Sequence, residues 1–428
     1  MDHSAFTPHP LIPRPTYLEQ LKGFPDRDLI KVVTGLRRSG KSTLFLLFQD
    51  YLRAQGVGDN QIITINLDSP LNDFASAKDL YQHIAARLVP GVTTYVFLDE
   101  VQMVPDFQVA VNGLRALPDV DVYITGSNAY LLSGELATLL SGRYIEIHML
   151  PLSFREYLSG LYPDAPSLDV LRRKVNLAEI FMDYLEYGGL PQTLNYYSEA
   201  DGVRLPDDTR IHEYLENIIS TIVYKDVMAR HNVTDKALLE RIIKFILDNI
   251  GQPVSIKKIV DTLNGASGGS RVSFYTVEGY VRALEECFLI YRADRYDVRG
   301  RELLSTGFKY FVADAGLRNY LLGRSGSQDI GQLLENAVFL ELLRRRKAPQ
   351  VGKYDNLEVD FVTRKGTELA YYQVSKDVNT EATFAREVKP YLAIRDNFPK
   401  YLLTLEPGVH GALDGIIHKN IIDWLLEV

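Results

Sequence analysis

The sequence predicts an α/β fold: a parallel sheet with helices first, a helical middle, and a second α/β layer at the end. Three observations predict it. The β-branched run Leu29–Thr34 passes through a glycine-rich turn into an apolar helical run that ends near Gly56. Short apolar strands then alternate with helical segments as far as residue 150, which is the rhythm of βαβ units. After Pro151 the strand pattern stops, and it returns only beyond residue 287.

The 428 residues exceed what one core holds, so two to four domains are expected. Hydrophobic residues make up 46% and charged residues 24%, the balance of a folded soluble chain. No stretch reaches the roughly 18 unbroken apolar residues of a membrane span. The first residues lack a basic stretch followed by an apolar run, so neither a membrane partner nor a secretory leader is expected. Cys287 is the single cysteine, which excludes an intrachain disulfide and a cysteine metal cluster. Its setting, LEECFLI, reads as a buried thiol, and a reducing cytoplasm is the expected location. The net charge of −8 argues against a generally basic nucleic-acid coat, though it leaves room for a local basic face.

Gly35-Leu-Arg-Arg-Ser-Gly40-Lys41-Ser42 satisfies G-x-x-x-x-G-K-[ST], with a strand before it and a helix after it. Gly35 and Gly40 let the backbone approach phosphates without a Cβ clash. Amides at the helix start cradle the anion. Lys41 can reach the β and γ phosphates, and Ser42 can hold Mg²⁺. The nucleotide-contacting set is Gly35, Ser39, Gly40, Lys41, Ser42 and Thr43. Arg37 and Arg38 face the nucleotide, a neighbouring subunit or solvent.

Tyr95–Leu98 is another buried strand, and Asp99-Glu100 follows at its carboxyl end, where ligands of open α/β sheets gather. Asp99 is placed to engage Mg²⁺ through its water or through Ser42. Glu100 is placed to orient or deprotonate the attacking water. Between these motifs lie the strand Ile62–Asp68 and the returning helix Ala77–Leu88. Asn66 and Asp68 either face the γ-phosphate or cap a turn. Strand Val120–Thr125 leads to Gly126-Ser127-Asn128. Asn128 first, and Ser127 second, are candidates to bond the γ-phosphate or the lytic water; the competing role is to cap the segment Ala129–Leu132. Arg143 precedes the strand Tyr144–His148. It either stabilises phosphoryl charge, in its own chain or across the boundary of a homo-oligomer, or is a plain surface group.

These residues resemble the bacterial and archaeal AAA-type ATPases that carry a C-terminal domain of unknown function. The resemblance rests on GLRRSGKST (35–43), YVFLDEVQ (95–102), ITGSNAYLLSGEL (124–136), GRY (142–144) and PLSFREYL (151–158). It continues through EYGGLPQ (186–192), KYFVADAGL (309–317) and EVDFV (358–362), so it covers nearly the whole chain. It implies an AAA+-like P-loop NTPase core, with Lys41 and Ser42 on the nucleotide. Asp99 and Glu100 become the magnesium and hydrolysis pair, Ser127 and Asn128 the sensor segment, and Arg143 a finger. No N-K-x-D guanine-reading motif is evident, and the likeness points to ATP.

The expected parts are a nucleotide core (1–150), a helical lid (151–235), a winged-helix domain (236–325) and a C-terminal α/β endonuclease-like domain (326–428). The lid reads as helices at Phe154–Leu158, Val175–Leu185 and Thr209 to about Ala229, with a turn at Gly188, Gly189 and Pro191. Three helical runs follow, with apolar faces on Leu238, Ile242 and Ile246, on Ile256, Ile259 and Leu263, and on Val277, Val281 and Leu284. A Gly-Ala-Ser-Gly-Gly-Ser turn separates the last two, and strand-like pieces at Phe288–Arg292 and Lys309–Val312 complete a winged helix. Residues 236–325 hold 14 Lys and Arg against 10 Asp and Glu, a local positive excess. Yet Glu278, Glu285 and Glu286 accompany Arg282 on the third helix, whereas Arg292, Arg295, Arg299 and Arg301 lie in or near the wing. Duplex DNA and a protein are therefore equally expected partners. In the last part, Glu335 on a helix and Asp360 on a strand match a nuclease layout, but the place of E-x-K holds Gln373-Val374-Ser375. The expectation is the fold without efficient cleavage, with metal-dependent cleavage as the alternative. The terminal IIDWLL reads as a last packed helix.

Overall fold

The computed structural model describes residues 11–24, 28–129, 140, 142–200, 202–228, 233–265, 271–408, 410–413 and 415–427. The segment expected after Ala129, the end of the helical run at Ala229, the turn beyond Gly265 and the first ten residues lie outside the described residues. The chain divides into two compact units: residues 1–151 with 286–288, and the remainder.

Unit 1 runs α1 (Pro15–Lys22), β1 (Ile30–Thr34), α2 (Lys41–Ala54), β2 (Ile62–Asn66), α3 (Ala77–Ala85), β3 (Thr94–Asp99), α4 (Phe107–Arg115), β4 (Val120–Gly126) and β5 (Tyr144–His148). Its sheet has the order β2-β3-β4-β1-β5, and every pairing is parallel. All five residues of β1 are buried, because the strand is covered on both faces. Strand alternation sends Val32 to the core shared with α3 and α4, and Val33 to the core shared with α1 and α2. Lys31 is also fully buried. Its Nζ lies 2.7 Å from Asp121, whose other oxygen accepts from the Tyr123 hydroxyl at 2.8 Å, so the buried charge is paired and bonded.

Unit 2 begins with α5 (Phe154–Leu161), α6 (Leu168–Lys174), α7 (Leu177–Tyr187), β6 (Tyr197–Ala200), β7 (Val203–Pro206) and α8 (Asp208–Thr221), which passes into a π-helical segment, Ile222–Met228. It continues with α9 (Lys236–Asp248), α10 (Ile256–Gly265), α11 (Phe274–Glu286), β8 (Ile290–Asp297), β9 (Glu302–Val312), α12 (Ala315–Leu322) and α13 (Ile330–Arg344). It ends with β10 (Gln350–Tyr354), β11 (Leu357–Lys365), β12 (Glu368–Val374), α14 (Glu381–Ala393), β13 (Lys400–Thr404), β14 (His410–Leu413), β15 (Ile416–Asn420) and α15 (Ile421–Leu426).

Local chemistry sets several of these boundaries. Ser153 and Glu156 form a reciprocal capping box that starts α5. Asp314 caps α12 through Leu317 N–H and also accepts Gly189 N–H at 2.7 Å. A Cβ at Gly188 would fall 2.2 Å from the Asp314 carboxylate, and one at Gly316 would fall 2.2 Å from the Tyr187 carbonyl oxygen. The EYGGLPQ and VADAGL segments are therefore two halves of one close contact.

The hairpin β8–β9 extends the C-terminal sheet, whose order is β14-β15-β13-β12-β11-β10-β8-β9. The free edge of β8 pairs in parallel with β10, Arg295 opposite Val351. Hydrogen bonding thus crosses the boundary expected near residue 325. On one face of this sheet, α13 places Phe339 against Phe311 at 4.1 Å and hooks Asn336 onto both main-chain groups of Val312.

Candidate active site

The strand order puts β1 at an inner position, so its carboxyl end opens between two neighbours. Gly35 leaves the sheet there with φ 141°, and a Cβ on it would lie 2.1 Å from the Met149 carbonyl oxygen. Only glycine fits. Gly40, at φ 100°, stands at the N-cap of α2 and brings no side chain to its first amides. Lys41 is buried, and its ammonium donates to the carbonyls of Gly35 at 3.0 Å and Leu36 at 3.1 Å. The cation is thus held over the loop by main-chain oxygens that a phosphate can replace. Ser42 is exposed and Thr43 half-buried on the first turn. Ser39 is fully buried, and its Oγ has no hydrogen-bond partner.

Asp99 ends β3, two strands away from β1, with β4 between them. Thr125 on β4 joins the acidic pair: its hydroxyl donates to Asp99 and accepts the Glu100 amide at 2.9 Å. Glu100 turns out of the strand at φ 54°. Its carboxylate accepts from Ser127 Oγ at 3.2 Å and from the Gln102 amide. Burial pushes this carboxyl up, but Lys41, Gln102, Arg37 and Ser127 outweigh burial and hold it below its ordinary value. Glu100 is therefore an anion at neutral pH, able to accept a hydrogen bond from water and orient it.

The other expected residues sort by place. Arg37 is largely buried, 3.9 Å from Asp68, and its charge reaches Glu100. Arg38 is exposed. Asn66 accepts the Asp68 amide at 3.0 Å, which is the turn-capping role. Thr34 pairs with Gly126, so Ser127 and Asn128 emerge beside the loop, and Asn128 is buried. Arg143 is not brought to this site. It precedes Tyr144, which pairs with Ile30, whereas the loop leaves after Thr34, opposite His148. The five-residue strand β5 separates the two ends by about 16 Å at its usual rise. Exposed there, Arg143 donates to Asn112 at 3.2 Å, so an action within its own chain is corrected.

Sequence reasoning missed Thr125, Gln102 and the group around Thr34. The Thr34 hydroxyl donates to Glu146 at 2.6 Å and lies 3.1 Å from His148 Nδ1. Burial, with Lys41 as the nearby cation, pushes the His148 imidazole down to about 4, so it is neutral at physiological pH. For Mg²⁺, Asp99 and Ser42 supply one carboxylate and one hydroxyl. This hard-oxygen pair suits an ion that takes its other ligands from water and phosphates, so the residues fit.

The acidic group of unit 2 has a different character. Lys309 on β9 is buried, with its ammonium 2.9 Å from Glu358 and 3.6 Å from Glu335. Asp360 accepts the Val374 amide at 2.8 Å, and Gln373 bridges the Asp360 amide and Glu387. Burial, with neighbouring carboxylates, raises Glu335 to about 8; burial raises Asp360 to about 6 against the pull of Lys309. Among the described residues, no group of three or more His, Cys, Asp or Glu is arranged to hold a metal ion. No described helix is long and apolar enough to cross a membrane.

Comparison with known proteins fits this geometry. An AAA domain profile matches residues 27–158, and a domain of unknown function (DUF8612) matches residues 178–328. An uncharacterized protein of Haemophilus influenzae is 39% identical over 419 residues, covering 97% of this chain and 99% of that one. Another uncharacterized protein, from Methanocaldococcus jannaschii, is 29% identical over 389 residues, covering 88% and 81%. A Walker-type ATPase of Pyrococcus abyssi shares the fold with a TM-score of 0.50 at 14% identity, covering 72% of this chain and 95% of its own.

Proposed function

The chain belongs to the family of AAA-type ATPases that includes its Haemophilus influenzae relative, and from that premise we propose a Mg²⁺-dependent ATP hydrolase whose nucleotide state governs a partner-binding face in unit 2. The observation that carries this reading is the convergence of Lys41 and Arg37 on the Ser127-bound Glu100 beside the glycine loop.

ATP phosphates take the place of the Gly35 and Leu36 carbonyls around the Lys41 ammonium. The amides of α2 and the backbone freed by Gly35 and Gly40 bind the remaining charge. Asp99 and Ser42 would hold Mg²⁺, which would offset the charge building on the phosphate oxygens. Glu100 accepts a hydrogen bond from water and aims it in line with the terminal phosphoryl group. Ser127 and Gln102 fix the carboxylate in that role. Asn128 is proposed to read the γ-phosphate, and Arg143 to act on a neighbouring copy in a homo-oligomer.

The lid, winged-helix and endonuclease-like parts are proposed as functional parts of a single folded unit. The partner face is the groove beside α11, about 680 Å³, lined by Lys257, Tyr275, Glu278, Arg282 and Arg292 among others. Tyr275 is 82% exposed. Its mixed charge and exposed aromatic ring favour a protein over a phosphate backbone. Cleavage by the Glu335–Asp360 group is not part of the proposal, because Gln373 and Ser375 stand where such a nuclease carries its further carboxylate and lysine. A cytoplasmic location remains part of it.

ATP turnover, with and without duplex DNA at low salt, tests this reading. Lys41→Ala should abolish nucleotide binding. Glu100→Gln should bind ATP normally and turn over about a hundredfold more slowly. Normal turnover in the glutamine variant removes Glu100 from the mechanism. Salt-sensitive DNA binding would replace the protein partner with DNA.

A further inference from the structure

Ahead of the first strand, Pro13-Arg14-Pro15 leads into α1, and Arg14 is only 2% exposed. Its Nη1 donates to the Ser39 carbonyl at 2.8 Å. Its Nη2 donates to the Leu150 carbonyl at 2.7 Å and reaches the Pro151 carbonyl at 3.5 Å. The guanidinium lies 4.9 Å from the centre of the Tyr17 ring, and the Tyr17 hydroxyl accepts the Leu150 amide at 3.0 Å. Tyr17 and Leu21 anchor the helix in the core shared with α2. One planar cation therefore bridges the middle of the glycine loop and the segment just beyond β5. A guanidinium does this and an ammonium does not, because its donors diverge in a fixed plane.

The Ser39 carbonyl and the Gly40 N–H belong to the same peptide group. That group is planar and trans, so the two dipoles point in opposite directions. With the carbonyl held by Arg14, the Gly40 N–H is turned to the other side, where the first turn of α2 opens. Gly40 has φ 100° and no side chain, and its own carbonyl accepts the Leu44 amide at 2.9 Å, so the peptide before it is the joint between loop and helix.

We propose that Arg14 is a positioning residue of the phosphate loop: it holds the Ser39–Gly40 peptide so that the Gly40 amide faces the bound phosphates. This rests on the reading of residues 35–43 as the nucleotide loop. Arg14 touches no reacting atom and acts through the main chain. Its loss weakens every phosphate ligand alike, independently of the base.

The test uses the full chain and titrates ATP, ADP and inorganic pyrophosphate, each with Mg²⁺, alongside ATP turnover and thermal melting. Arg14→Met should bind all three about tenfold more weakly. Its KM should rise by the same factor and kcat should stay within about twofold. Arg14→Lys should recover part of the affinity, because an ammonium can still bond the Ser39 carbonyl. Tyr17→Phe keeps the ring and the Arg14 bonds to Ser39, Leu150 and Pro151, and should bind as wild type even if it melts lower. A folded Arg14→Met with wild-type affinities overturns the proposal. So does a Tyr17→Phe variant weakened as much as Arg14→Met, since the effect would then be general packing. Should Arg14→Met fail to fold, Arg14→Lys carries the test, and unchanged affinity in that variant overturns the proposal. Wild-type protein and Lys41→Ala are the controls. If these two bind alike, the nucleotide-loop reading fails with it; if only they differ, Arg14 alone is refuted.

Discussion

At the scale of single residues, the site is defined by how little room it leaves. Gly35 carries the largest constraint, since a methyl group there would sit 2.1 Å from the Met149 oxygen at a φ that L-residues rarely adopt. Both terms act on the loop that must receive phosphate. Gly35→Ala should therefore lower the thermal midpoint and weaken Mg-ATP binding more than about tenfold, as read by calorimetric titration. A variant with native melting and affinity would show that Met149 yields. The loop glycines and Lys41 were legible from the fixed spacing of one motif, and Asp99 and Glu100 from the apolar strand that ends on them. Thr125 was not, although it lies one residue before the predicted sensor turn. Its bond to Asp99 depends on the pairing of β3 with β4, and no local pattern encodes that register. Arg14 and His148 were invisible for the same reason.

Among elements, the apolar faces of the helices were the legible part. Leu238, Ile242 and Ile246 on α9 and Val277, Val281 and Leu284 on α11 are all buried, as their spacing requires. Membership of the hairpin β8–β9 in the C-terminal sheet was not legible, because the strand partner, β10, is more than fifty residues away. That membership brings Lys309 to Glu335 and Glu358, and it sets a pH response. Glu335 and Asp360 stand above ordinary carboxylate values, at about 8 and about 6, so the native state binds more protons than the unfolded chain. Their stabilising contribution is complete below about pH 4 and is lost as pH rises through about 8. The midpoint of unit 2 should accordingly fall between pH 6.5 and 9. Glu335→Gln should flatten that fall. A wild-type midpoint that rises across this range would contradict the raised value of Glu335. His148 acts only at lower pH: its depressed value removes stability from unit 1 as pH falls from 6.5 through about 4.

At the scale of the whole molecule, one charge has been left without a task in its own site. Arg143 lies exposed at the opposite end of the sheet from the loop, where its side chain donates to Asn112 at 3.2 Å. An arginine so placed can meet transferring phosphate only on another copy of the chain. Supplied across a boundary, such a cation raises turnover by about 10³ or more. Turnover per chain should therefore increase with protein concentration and level off once copies associate. Arg143→Ala should remove that increase while leaving Mg-ATP affinity unchanged, because Arg143 has no part in the loop of its own chain. Mixing Arg143→Ala with inactive Lys41→Ala should restore activity, since each variant supplies what the other lacks: an intact loop faces an intact arginine at the shared boundary. Turnover that is flat across a hundredfold range of concentration, together with no rescue on mixing, would return Arg143 to the surface and leave the chain to hydrolyse ATP alone.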